Sequence, residues 1–186
     1  MTSNDAVLKV AAALEAASIP YMLVGSYSSN MYGVARATQD ADFVVQLAAP
    51  AIRELVTRLG PAFQLDPQMS FETVTATGRY VIELRDHPLK IELFLLSDDP
   101  HDQERFARRR QRPLLGHPVF VPSAEDVIIT KLRWSQQGRR HKDVDDVRNV
   151  LAVQGEYLDW PYIHRWCDQH GTRALLDEIC RSLPAI

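Results

Sequence analysis

The stretch VGSYSSNMYGVARATQDADFVV, residues 24–45, contains the turn and the strand around which the rest of the chain is organised. The apolar run 21–24 predicts a short buried strand that ends at Gly25-Ser26. Glycine at a strand-to-helix turn lets the backbone approach a ligand closely, and the helix that follows offers free N–H groups to an anion. The turn therefore predicts a phosphate site with the Ser26 hydroxyl as an added donor, although glycine–serine pairs are also common in ordinary turns.

Two acids lie at the start of the next predicted strand, DADFVVQL, residues 40–47. Side chains alternate between the faces of a strand, so Asp40 and Asp42 point the same way, about 6.6 Å apart along it. Neighbouring carboxylates repel each other and are costly to bury, and a divalent cation relieves both costs. The pair predicts a Mg²⁺ or Mn²⁺ site; the plainer alternative is a solvated strand end.

A third acid stands in an otherwise apolar strand, LKIELFLL, residues 89–96. A charge in such a strand needs a partner. If this strand lies near residues 40–47, Glu92 completes a patch of three carboxylates, the arrangement that two-metal phosphoryl or nucleotidyl transfer requires. The alternative is an ordinary edge residue.

The remaining patterns predict an α/β (α+β) fold, with a mixed β-sheet and flanking helices over residues 1–122 and a small helical part over residues 123–186. Strands 79–86 and 89–96 form a predicted hairpin, and SAED, residues 123–126, is a capping box that begins a helix. Further predicted elements are helices at 4–18, 26–33, 52–59, 101–111, 141–153, 160–169 and 172–182, and β-structure at 72–77 and 118–121.

Residues 24–45 resemble the signature of the nucleotidyltransferase superfamily, which has the DNA polymerase β-like fold. In that signature a G-[GS] turn precedes D-x-[DE] on the next strand, and a third carboxylate lies on a later one. The fuller pattern, with Tyr32-Gly33, Arg36 and Thr38, is similar to the AbiEii/AbiGii-type group, which includes toxin components of bacterial toxin–antitoxin systems.

A second match, SAEDVIITKLRW and RRHKDVDDV, resembles the helical motif of the same group and contains Lys131, Lys142, Asp143 and Asp146. The resemblance implies a metal-dependent enzyme that transfers a nucleoside monophosphate from a nucleoside triphosphate, such as ATP, to a hydroxyl. It assigns nucleotide binding to Gly25, Ser26, Arg36 and Lys131, and metal binding and catalysis to Asp40, Asp42 and Glu92. The superfamily often has Asp where this chain has Glu92.

Composition limits the acceptor and the location. Of the 186 residues, 46% are hydrophobic and 24% charged, and the net charge of −3 gives no overall nucleic-acid signal. Basic runs at 105–112 and 139–142 could hold RNA or triphosphate phosphates, but solvated helix faces are the preferred interpretation. The two cysteines lack zinc-site spacing, and neither a signal peptide nor a membrane span is predicted, so we expect a cytoplasmic protein.

The acceptor is therefore left open among RNA, a protein and a small molecule, with an antitoxin partner as a further expectation. The alternative hypothesis is a non-catalytic nucleotide-binding or protein-interaction module with the same fold. A third is a scaffold whose acids do not converge.

Overall fold

The computed structural model describes residues 1–48, 50–138 and 141–183. The described helices are α1 Ser3–Ala16, α2 Gly25–Tyr32, α3 Ala51–Leu59, α4 Pro100–Ala107, α5 Ala124–Gly138, α6 His141–Gln154, α7 Trp160–His170 and α8 Arg173–Ser182, with a short 3₁₀ turn at Gly155–Tyr157. The described strands are β1 Tyr21–Val24, β2 Asp40–Val45, β3 Phe63–Leu65, β4 Ser70–Glu72, β5 Thr77–Leu84, β6 Lys90–Leu95, β7 Arg110–Leu114 and β8 His117–Val121. None of the helices in these ranges is both long and apolar enough to cross a membrane.

A mixed sheet forms the centre of the fold, in the order β1-β2-β6-β5-β3, with β4 also paired to β5. Among the described strands, only β2 and β6 pair in parallel, and this register puts Asp42 directly opposite Glu92. The predicted hairpin is confirmed: β5 and β6 pair antiparallel, with Val81 opposite Glu92. The sheet thus brings the two predicted acidic strands side by side.

Alternation along β2 and β6 explains how one face is apolar while the other carries charge. Ala41 and Phe43 on β2, and Ile91 and Leu93 on β6, are fully buried in the main hydrophobic core. The residues between them, including both acids of the Asp42–Glu92 pair, point to the opposite face. The predicted mixed α/β class is confirmed.

The helices after residue 123 pack on one another, and α5 and α6 also pack on α2. α6 contacts both α2 and α5, and α7 packs on α5. Tyr32, at the end of α2, donates its hydroxyl to the Pro122 carbonyl at 2.8 Å. The predicted boundary between residues 122 and 123 stays a prediction. Residues 184–186 of the predicted helical part lie outside the described residues.

Two secondary-structure predictions are wrong in part. The alternating segment 72–77 is a strand only at its ends, because the Glu72 carboxylate accepts hydrogen bonds from the backbone N–H groups of Val74 and Thr75 and closes a turn. The predicted helix 101–111 ends at Ala107, and the chain continues as β7, which pairs with β8. Hydrogen bonds to the Glu72 carboxylate in the first segment, and pairing with β8 in the second, override the local sequence pattern.

Candidate active site

A cleft of 390 Å³ opens where α2, β2, β6 and α5 meet. Six of the seven predicted site residues line it: Gly25, Ser26, Asp40, Asp42, Glu92 and Lys131. Its other walls combine apolar side chains, Phe94, Leu95 and Trp134 among them, with further polar and charged ones. The structure therefore gathers residues from four separate segments of sequence at one site.

Asp42 occupies the centre of the acidic part. It lies opposite Glu92 on paired strands, whose backbones are about 4.8 Å apart. Burial raises the pKa of Asp42 to about 7, and the negative charges of Glu92 and Asp40 add to the rise, while Lys131 opposes it. The Asp42 carboxyl group therefore keeps its proton at pH values at which an exposed aspartate is ionised, because it is shielded from water and lies beside other negative charges.

Gly25 explains how the turn and the acid fit together. Its φ of +62° lies in the left-handed region, which favours glycine. A Cβ atom at this position would lie 1.9 Å from Oδ2 of Asp42. The glycine therefore permits a close approach between the backbone of the turn and the Asp42 carboxylate, while its approach to a phosphate stays a prediction.

Ser26 is held by a chain of polar contacts that ends on α6. Arg36 Nη2 donates to the Ser26 hydroxyl at 2.8 Å, and Arg36 Nε donates to Asp146 at 2.8 Å. The same Asp146 contacts Lys131 Nζ at 2.9 Å and accepts from the Ser29 hydroxyl at 3.2 Å. Asp146 therefore fixes two of the predicted nucleotide-binding cations and, through one of them, the serine.

Of those two cations, Lys131 lines the cleft and Arg36 is held beside it. Lys131 is also 2.8 Å from Oδ1 of Asp143, whose Oδ2 is buried and has no hydrogen-bond partner within the described residues. Asp143 and Asp146 are thus both buried ion-pair partners of Lys131. Their place in the loosely matched K-D-x-x-D motif was the available signal.

Arg79 is the residue that the sequence reasoning missed. Its Nη1 lies 3.2 Å from both carboxylate oxygens of Glu92, and its Nε donates to the Ser70 hydroxyl at 2.9 Å. Because Val81 is opposite Glu92, Arg79 is the diagonal neighbour two positions away on the same face. The register of the β5–β6 hairpin identifies this pair, whereas the sequence pattern predicts the hairpin without its register.

The donor chemistry of the cleft fits a hard divalent cation. Asp40, Asp42 and Glu92 offer carboxylate oxygens, the ligands that Mg²⁺ and Mn²⁺ accept, and the raised pKa of Asp42 reflects mainly its burial and then the charges of Glu92 and Asp40. Across the described parts of the chain, however, no three His, Cys, Asp or Glu side chains form a ready-made metal group. Glu92 already has a cationic partner, so Asp40 and Asp42 are the residues best placed to hold an ion.

A buried polar cluster supports the wall of the cleft. Asp126 is fully buried and accepts from Ser123 at 2.9 Å and Tyr162 at 2.7 Å, with His101 Nε2 at 3.1 Å. Burial alone would raise the pKa of Asp126, but hydrogen bonds from His101 and Tyr162 outweigh it and hold the pKa below its usual range. Burial lowers the pKa of His101 and so favours the neutral ring.

The basic run 105–112 is only partly the solvated face that the sequence suggested. Arg105 is buried against Asp102 at 2.7 Å, and Arg108 stacks 3.9 Å from the Tyr162 ring centre. Arg110 and Arg112 are exposed on β7. In the other run, residues 139 and 140 lie outside the described residues.

The pKa of Asp42 predicts an unusual stability profile in metal-free buffer. The folded carboxyl keeps its proton to about pH 7, whereas the unfolded one releases it near pH 3.8. Between these values the folded state binds more protons, so its stability falls as pH rises and the loss is complete above pH 7. Asp42→Asn should therefore gain about 1–4 kcal/mol over wild type between about pH 4.5 and pH 8. Urea unfolding of both proteins at about pH 4.5 and pH 8 measures their free energies of unfolding. The same difference between Asp42→Asn and wild type at both pH values would contradict the prediction.

Comparisons with known proteins bear on the fold. No protein-family model matches the chain, and no curated protein matches it in sequence. The solution structure of the antibiotic-resistance factor ANT(2'')-Ia matches with a TM-score of 0.64 and 14% identity, over 94% of each chain. A crystal structure of ANT(2'')-Ia in complex with adenylyl-2''-tobramycin gives a TM-score of 0.63 at the same identity, over 94% of this chain and 99% of that one.

Two further structures agree. An antigenic nucleotidyltransferase-like protein from Paracoccidioides brasiliensis matches with a TM-score of 0.58 and 16% identity, over 100% of this chain and 96% of that chain. The lincosamide antibiotic adenylyltransferase LnuA, bound to lincomycin, matches with a TM-score of 0.53 and 9% identity, over 81% of this chain and 98% of that chain. The chain thus has the nucleotidyltransferase fold, while the closer similarity to the AbiEii/AbiGii-type group stays a prediction.

Proposed function

We propose that this protein is a nucleotidyltransferase that uses a divalent cation, Mg²⁺ or Mn²⁺, to move a nucleoside monophosphate from a nucleoside triphosphate to a hydroxyl group. The observation that carries the proposal is the position of Asp42, which lies against the Gly25 turn on one side and opposite Glu92 on the other. The turn predicted to bind phosphate and the carboxylate predicted to bind a cation line one cleft, on a fold shared with known nucleotidyltransferases.

Each group has a defined task in this proposal. The turn at Gly25-Ser26 binds phosphate oxygens through its N–H groups and the Ser26 hydroxyl, and Lys131 adds positive charge. Asp40 and Asp42 hold the cation, which when bound neutralises phosphate charge and orients the triphosphate. The acceptor oxygen forms a bond to the α-phosphorus, the bond from the α-phosphorus to the bridging oxygen breaks, and pyrophosphate leaves.

The proton of the acceptor hydroxyl needs a base in the cleft. Glu92, which the resemblance assigns to catalysis, is the candidate for this role, but its two oxygens already accept from Arg79. Each of these oxygens keeps a second lone-pair site, so Glu92 can still accept from an acceptor hydroxyl, but Arg79 already compensates its charge. This engagement is the observation that favours the alternative, a non-catalytic nucleotide-binding or interaction module.

We include a small molecule among the acceptors because one structural neighbour is bound to adenylyl-2''-tobramycin and another is a lincosamide antibiotic adenylyltransferase. At the present level of identity this likeness transfers the fold and not the substrate. RNA and protein acceptors therefore remain part of the test, and an antitoxin partner and a cytoplasmic location remain predictions.

The test is a transfer assay with four α-labelled nucleoside triphosphates and Mg²⁺. The acceptors are total RNA, lysate protein and two small molecules, an aminoglycoside and a lincosamide. Label should move to one acceptor class, and Asp40→Ala/Asp42→Ala should lower the rate by about 100- to 1,000-fold or more, because the charge of the transition state loses its stabilisation.

A matched control is Glu54→Ala/Asp177→Ala, which also removes two carboxylates, both exposed and outside the cleft. This variant should keep the wild-type rate. Nucleotide binding without transfer to any acceptor would support the non-catalytic alternative, and absence of Mg²⁺-dependent nucleotide binding would refute the proposal.

A further inference from the structure

The Arg79–Glu92 pair has the geometry of a fixed element of the cleft. Arg79 Nη1 lies at 3.2 Å from both oxygens of Glu92, so the carboxylate is contacted symmetrically. The other side of the guanidinium is held as well, since Nε donates to Ser70 at 2.9 Å and the group lies 5.9 Å from the ring centre of Phe94. Such contacts on three sides place one positive charge at a defined point.

That point is the position at which a second cation would be expected. Glu92 is the third carboxylate of the pattern, and its strand register puts it opposite Asp42. In two-ion nucleotidyl transfer, carboxylates of this kind hold both ions. The Arg79 guanidinium supplies positive charge beside Glu92. A metal ion held by the same carboxylate would lie close to this charge, and like charges repel strongly at short range.

The other described cations of the cleft do not compensate Glu92 in this way. Lys131 is bound by Asp143 and Asp146 at 2.8 and 2.9 Å. Arg105 is bound by Asp102. Lys142 lines the cleft as well, and among these four described residues Arg79 is the one with hydrogen bonds to Glu92.

We propose that Arg79 takes the place of a second metal ion, so that the nucleotide-free cleft binds one divalent cation per chain, at Asp40 and Asp42. The inference rests on the proposed function, because it concerns the cation that this function requires. It makes Arg79 a positioning residue that sets the number of ions in the site.

The test counts bound Mn²⁺ in the full chain, with the free ion measured by electron paramagnetic resonance. Wild type should bind one Mn²⁺ in the cleft. Arg79→Ala should bind a second one, or bind Mn²⁺ about tenfold more tightly, because Glu92 is then free and a repelling charge is gone. Arg79→Lys, which keeps the charge, should behave like wild type.

Two further variants separate the proposed effect from general ones. Arg58→Ala also removes one arginine charge, from an exposed pair with Glu54 on α3, and should leave Mn²⁺ binding unchanged. Glu92→Gln in the Arg79→Ala background should abolish the gain, because the freed carboxylate is its source. Circular dichroism of each variant checks that the fold is retained.

Two ions in wild type, unchanged Mn²⁺ binding in Arg79→Ala, or no Mn²⁺ binding by either protein would overturn the inference. Failure of the proposed function is recognisable separately. Wild type that transfers nucleotide but binds two ions defeats only the inference, whereas the expected ion counts without any transfer defeat only the activity.

Discussion

Replacing Gly25 by alanine should lower nucleotide transfer by about 100-fold or more while the chain still folds. The new Cβ would meet Oδ2 of Asp42 at 1.9 Å, so the carboxylate or the turn must move. A displacement of about 1 Å in the reacting geometry is enough for a loss of this size. Alanine in the left-handed region should also cost about 1–2 kcal/mol of stability. Steady-state transfer rates and urea unfolding measure the two effects separately.

Gly171→Ala is the matched control for the backbone contribution. Gly171 has a φ of +67°, close to that of Gly25, but a Cβ there would meet no atom within 4 Å. Its replacement should cost a similar amount of stability and leave transfer unchanged. Equal activity losses in the two variants would show that strain, and not the approach to Asp42, explains the effect of Gly25→Ala.

Asp126→Ala should destabilise the protein by at least about 1–3 kcal/mol, the cost of leaving a buried polar group without its hydrogen-bond partner. The substitution leaves Ser123, Tyr162 and His101 without their shared acceptor in a fully buried site. Because hydrogen bonds hold the pKa of Asp126 below its usual range, its contribution is present at neutral pH and is lost as pH falls through that low value.

Urea unfolding at pH 7 and at about pH 3.5 measures both parts of this prediction, and the difference between variant and wild type should shrink at the lower pH. Asp145→Ala is the control, since Asp145 is an exposed helical aspartate paired only to Arg148 at the surface. Its cost should stay within about 0.5 kcal/mol. A loss below about 1 kcal/mol in Asp126→Ala would contradict a supporting role for the cluster.

The acidic half of the cleft was predictable from sequence because it depends on local rules. A period of two puts Asp40 and Asp42 on one face of β2, and the apolar setting of Glu92 marks it as unusual. What remained open was the pairing of β2 with β6, which the structure shows to be parallel and in register at Asp42 and Glu92.

The basic half was less predictable because its partners are distant in sequence or diagonal in register. Lys131 and Arg36 were expected to reach the nucleotide, yet both are bound by Asp146, which is 110 positions beyond Arg36. Arg79 carries no pattern of its own, and its role emerges only from the alignment of the hairpin.

The bond between Asp146 and Arg36 also bears on the order in which the protein folds. Contacts between residues far apart in the chain form slowly, because a long loop must close before they are gained. The β5–β6 hairpin needs only neighbouring residues, so we expect it to form early, whereas Ser26 gains its support through Arg36 only after α6 has docked. During synthesis on the ribosome, a chain that ends before α6 would have its sheet residues but an unsupported phosphate turn. The site would then become competent only after α6 has been synthesised and has docked, when Asp146 can bind Arg36.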